Sequence, residues 1–193
     1  MGVGGFYMGV SSITDVTKWG MTDKTKLGFV YLFLSVGKRL TDSNYQLFEE
    51  VGMSLKGYSG MRGDIIGECE KVLAGTNDEA SRLKKITAYF STNNAIRQRE
   101  ILWLLISLIN QMKIKSDNHQ KFIDLWIEEN KIDESIVLEM HDTYQTQHAM
   151  TEFDEWFKAK KDISYSEGSS INEGVKKNLA DLEQSLNTLI ALG

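Results

Sequence analysis

The stretch "LTDSNYQLFEE", which opens at Leu40, returns 74 residues further on as "IKSDNHQKFID" at Ile114. The likeness extends upstream: "LGFVYLFLSVGKRLTDSNYQLFEEV", from Leu27, lies over "ILWLLISLINQMKIKSDNHQKFIDL", from Ile101. Phe29 falls on Trp103, Leu32 on Ile106, Leu34 on Leu108, Asn44 on Asn118, Gln46 on Gln120 and Phe48 on Phe122. Each copy reads as an apolar helix, a tight turn and an amphipathic helix. One such pair cannot hide both of its apolar faces from water, but two pairs packed face to face can. The repeat therefore predicts an all-α fold, a helical bundle of two related helix-turn-helix halves, with a further helix at the C-terminus.

The chain has no proline, and its apolar residues recur at helical spacing. Helices are expected over 23–38, 42–56, 64–74, 79–90, 95–113, 117–129 and 133–148, with "MTEFDEWFKAKK" continuing or restarting the last. In the second of these, Tyr45, Phe48, Gly52 and Leu55 share one face. "MTD", "GTND" and "STNN" supply polar N-cap candidates, whereas "KGYSGMRG" reads as a glycine-punctuated turn. Residues 1–21 form a glycine-rich arm, 22–161 the bundle, and 162–170, "DISYSEGSS", a polar linker. In the helix expected over 171–193, Val175, Leu179, Leu182, Leu186 and Leu189 lie four and three apart. That seam suits a helix folding back on its own bundle, with self-association as the other use.

Charge and composition exclude several function classes. A formal charge of −5 with acids and bases interspersed argues against a nucleic-acid surface. The apolar run "ILWLLISLI" is too short to span a bilayer and reads as a buried helix. A single cysteine, Cys69, allows neither an internal disulfide nor a Cys-rich zinc cluster, and with no secretory signal the expected location is cytoplasmic.

No nucleophile elbow, P-loop or dinucleotide fingerprint is present, and "GVGG" lacks the strand and helix that would make it a phosphate cradle. His141, Gln145, His148 and Glu152 share a helical face, yet the two histidines stand too far apart for a helix-borne zinc site. No catalytic residue, cofactor or metal ligand is assigned, and the chain is read as a non-enzyme. Trp103 and Trp126 sit in periodic apolar helices and belong to the core. Phe153, Trp156 and Phe157 cluster on one side of a late helix, where they meet either the C-terminal leucine seam or a partner protein. With Phe6 and Tyr7 of the arm and Leu182 and Leu186 of the seam, they are the candidate partner-binding residues.

The second copy, "LLISLINQMKIKSDNHQKFIDLWIEENKIDESIVLEM", resembles the TerB-like family, named for a tellurite-resistance protein. The likeness covers about residues 26–144 and rests on hydrophobic pattern and helix ends, with Leu40 and Ile114 as the hydrophobic anchors after each turn. It implies a bundle of two related helix-turn-helix halves and a setting in bacterial stress response, membrane-associated complexes or defence. The family's acids are thought to gather a divalent cation, which needs several oxygen ligands and carboxylate charge. Here Gly37 and Gln111 stand in place of its Asp, and Asn44 and Asn118 in place of its Glu. Thr41 and Asn44 instead have capping-box spacing. The resemblance thus implies a non-catalytic protein-interaction module whose partner is another protein; the alternative is a divalent-cation or small-ligand sensor with a pocket between the halves.

Overall fold

The computed structural model describes residues 21–37, 40–160 and 165–192. They form eight helices: α1 Asp23–Leu34, α2 Asp42–Met53, α3 Tyr58–Leu73, α4 Glu79–Phe90, α5 Ala95–Gln111, α6 Asp117–Glu129, α7 Glu134–Ala159 and α8 Tyr165–Ala191. The polar residues ahead of the apolar runs act as N-caps. Thr22, Thr41, Asp78, Asn94 and Asp133 each accept a backbone N–H of the first turn on the side-chain oxygen. Each thereby satisfies one of the donors that a helix start leaves orphaned.

Two helices organise the rest. α1 is buried continuously from Lys26 to Leu34, and α5 from Arg99 to Ile109. A helix apolar on nearly every side needs neighbours all round. α1 finds them in α2, α3 and α4, and α5 in α6, α7 and α8; α3 also packs on α4, and α7 on α8. The repeat thus extends in space beyond the helix pair legible in sequence: each half is a four-helix unit around one hub helix. The halves meet where α1 packs on α5 and α4 on α6. That junction is aromatic, with Phe90 fully buried against Phe122 (ring centroids 5.3 Å apart) and Trp126 (6.1 Å), and Phe33 against Phe122 (5.9 Å). Trp103 and Trp126 are both core residues.

Three expectations need correction, and the choice between a continued and a restarted α7 is decided. "KGYSGMRG" is mostly helical, because α3 begins at Tyr58. Gly57 turns the chain at φ 81°, after which Tyr58 and Met61 face the core; their burial offsets the helix cost of Gly60 and Gly63. The expected linker over 162–170 is shortened, since α8 starts at Tyr165; residues 161–164 lie outside the described residues. α7 runs unbroken through "MTEFDEWFKA". Ile114 is no anchor: it is 52% exposed, while Leu40 is half-buried against the core. α5 runs further than α1 in the aligned register, so Met112 turns inward in its stead.

Candidate functional site

α7 ends with its polarity inverted. Asp154 is buried and paired to Lys158 at 2.5 Å, while Phe153 is 45% and Trp156 55% exposed. The exposed rings gather on one another: Phe153 lies 5.8 Å from Trp156 and stacks on Phe157 at 6.2 Å, and Lys160 Nζ sits 4.6 Å above the Trp156 ring. Phe157 is half-buried, its ring edge 4.0 Å from where a Cβ on Gly168 of α8 would stand. The arrangement offers a rigid apolar and cation–π surface on a helix end.

The structure does not bring the remaining candidates to this patch as exposed groups. Leu186 and Leu189 are buried in the core, and Val175, Leu179 and Leu182 are half-buried, so the seam faces the chain's own bundle, where α8 packs on α7 and α5. Leu186 is therefore unavailable to a partner. Phe6 and Tyr7 lie outside the described residues.

Gly37, Asn44, Gln111 and Asn118 lie at or just after the ends of the two hub helices and in the first turns of the helices that follow. Gly37 stands where a Cβ would meet Ser116 Oγ at 3.5 Å and His119 at 3.8 Å, and its carbonyl accepts from Arg82. Asn44 is buried; its backbone N–H donates to Thr41 Oγ1 at 3.2 Å, but its side-chain Oδ1 meets no donor. Asn118 is buried, and Gln111 bonds to Tyr144. Among the described residues no three His, Cys, Asp or Glu side chains gather to hold a metal ion. His148 sits 3.7 Å from Glu152 on an exposed face.

The first half caps α2 through Thr41 alone, whereas the second half closes a full capping box one residue later than the aligned register. The Ser116 N–H donates to His119 Nδ1 at 3.0 Å, and Ser116 returns the contact to the His119 backbone. His119 is buried against the edge of Phe33, and burial holds its pKa below the usual histidine value. Burial likewise pushes the Cys69 thiol up to about 12, too high for a ready nucleophile.

Sequence reasoning missed the buried charges. Lys26 and Glu100 occupy equivalent repeat positions, 2% and 1% exposed, on the two hub helices. Burial raises the Glu100 pKa, while Arg97 (Nε 3.3 Å from Oε2) and Lys26 oppose the rise. Neither carboxylate oxygen accepts a hydrogen bond. The aligned register held both positions, one step before the first apolar pair, as equivalent sites on the two hub helices.

Two cavities open among the described residues. One, of about 470 Å³, lies within the first half between Tyr31, Tyr45, Glu70 and Arg82; Tyr31 donates to Glu70 there at 2.5 Å. The other, of about 500 Å³, lies within the second half beside Arg99 and Lys131. Neither lies between the halves. Among the described residues no helix is long and apolar enough to cross a membrane.

Fold and site together define an all-α protein of two pseudo-equivalent four-helix units with an aromatic patch at the end of α7. Comparison with protein-family models, curated proteins and solved structures finds no match in any of the three.

Proposed function

We propose that the chain is a non-catalytic, TerB-like interaction module that docks a partner protein on Phe153, Trp156 and Phe157. The observation that carries this reading is the inverted end of α7, where an aspartate is buried while a phenylalanine and a tryptophan face water. Large aromatic side chains supply much of the binding energy at protein interfaces, and an exposed cluster at a fixed helix end is already organised for such a role. The setting in bacterial stress response or defence belongs to this proposal and rests on the resemblance of residues 26–144.

The test is crosslinked affinity purification of the full-length chain from its own host, beside the Phe153→Ala/Trp156→Ala variant. A reproducible partner whose recovery falls at least tenfold with the variant is expected, at about 1.4 kcal/mol per factor of ten. The fold should persist, because both rings are largely outside the core. Recovery of the same partner in equal yield by the variant, or of the bait alone by the wild type, would refute the assignment.

A further inference from the structure

Arg99 is committed at one end and unsatisfied at the other. It is only 8% exposed, and its Nε donates to the Ile190 carbonyl at 2.7 Å, closing the C-terminal end of α8. Its Nη2 has no hydrogen-bond partner. A buried cationic donor without an acceptor is costly, and native structures rarely leave one without a reason. The same side chain forms part of the wall of the 500 Å³ cavity, which opens between the start of α5, the α6–α7 turn and the end of α8.

Lys131 is on the wall of the same cavity and is also unusual. α6 ends in a Schellman motif, with the Ile132 N–H on the Ile127 carbonyl and the Lys131 N–H on that of Glu128. The residue between the helix and Ile132 takes φ 51°, a position that ordinarily goes to glycine. Here it is a lysine. Asp133, the one acid on the wall, accepts from the Ser135 N–H at 2.8 Å and the Ser135 hydroxyl at 2.5 Å as the cap of α7. Among the described residues neither Arg99 nor Lys131 is in an ion pair. Two cations against one acid leave a single net positive charge, and Ile132, Ile136 and Leu192 supply an apolar remainder.

We propose that this cavity binds a small organic monocarboxylate, its carboxylate on Arg99 and Lys131 and its short aliphatic body against Ile132, Ile136 and Leu192. A carboxylate gives the Arg99 guanidinium, which lines the cavity and is in no ion pair among the described residues, a counter-charge through charge-assisted hydrogen bonds that suit it. Leu192, half-exposed past the end of α8, forms the apolar rim of the cavity. A phosphate dianion would place a second charge beside Asp133 with nothing to neutralise it. The site is distinct from the patch on α7 and does not rest on the interaction reading.

The Trp126 indole N–H donates to the Gln98 carbonyl at 3.0 Å, and Gln98 is part of the cavity wall, so the indole reports on occupancy. The full-length chain, labelled with ¹⁵N, is titrated at constant ionic strength with hexanoate, hexanol and inorganic phosphate. The indole and the amides of residues 130–136 should shift saturably with hexanoate and not with the other two. Lys131→Gly suits the positive φ, so it should raise the melting temperature and at the same time weaken hexanoate roughly tenfold, the loss of one charge-assisted contact. Trp156→Ala should leave hexanoate binding unchanged. Equal shifts from hexanol, tighter binding of phosphate, or a Lys131→Gly protein that melts higher and binds hexanoate as before would each overturn the proposal.

Discussion

Removal of Lys26 tests what holds the two hub helices together. Glu100 is 1% exposed, accepts no hydrogen bond, and is opposed only by Arg97, whose side chain is partly in solvent, and by Lys26. Truncating one partner of a buried pair costs about 3–5 kcal/mol because the other charge stays buried. Lys26 acts on Glu100 without a direct ion pair and is itself paired to Asp23 at 3.6 Å, and Arg97 remains in Lys26→Met, so a loss below that range applies, about 2 kcal/mol. At a urea slope of about 2 kcal/mol per M that moves the midpoint down by about 1 M with the slope unchanged. The double variant Lys26→Met/Glu100→Met removes both charges and should return to within about 1 kcal/mol of the wild type, or exceed it. The pH dependence has a definite sign. Burial raises the folded-state pKa of Glu100 above its ordinary 4.5, so the folded state holds the proton at higher pH than the unfolded one. Its contribution is most favourable below 4.5 and is lost as pH rises through the folded pKa. Loss of Lys26 raises that pKa further, so the variant's deficit should be larger at pH 8 than at pH 5. A single-variant loss below about 1 kcal/mol, or a double variant as unstable as the two singles summed, would refute the reasoning.

Glycine-to-alanine substitutions should divide by position. A Cβ on Gly52 would stand 2.3 Å from the Tyr58 ring, so Gly52→Ala is expected to cost about 1–3 kcal/mol in a thermal melt. Gly63 and Gly67 of α3 have open space where a Cβ would go, and alanine at either should stabilise by about 0.5–1 kcal/mol. His119→Gln keeps a capping-box side chain at the third helical position while removing the titration. Burial lowers the folded-state pKa of His119 below 6.5, so the unfolded state takes up the proton first and stability is lost as pH falls through 6.5 toward the folded value. Urea midpoints at pH 7 and pH 5 should therefore differ less in His119→Gln than in the wild type.

Much of the fold was legible because helix starts and apolar periodicity are local. α4 and α6 begin and end where their caps and patterns placed them. What escaped was decided by packing at a distance. Gly57 turns the chain into α3 through its positive φ, but only the closeness of Tyr58 to Gly52 shows why the next helix begins at once. Ile114 shares a register with Leu40 yet faces water, because α5 extends past the aligned end of α1 and Met112 reaches the core first. The exposed half of the candidate patch, Phe153 and Trp156, was legible as an aromatic cluster. Arg99 was not, since nothing local marks it out. Its burial goes with α8, which brings the Ile190 carbonyl back to α5 as the acceptor of its Nε.

The repeat itself carries a further physical consequence at its centre. Two copies of the first half, packed as the halves are here, would set lysine against lysine at the hub crossing; two copies of the second would set glutamate against glutamate. Either pairing buries like charges, which is far more costly than burying an opposed pair. In the mixed pairing the attraction between Lys26 of α1 and Glu100 of α5 adds to the ion pair each makes on its own helix, Lys26 Nζ 3.6 Å from Asp23 and Arg97 Nε 3.3 Å from Glu100. The opposed pair therefore gives little net stability relative to an apolar crossing, but it discriminates sharply between partners, as negative elements at an interface do. The aromatic junction of Phe90 with Phe122 and Trp126 provides the adhesion, and the buried charges decide which halves may adhere.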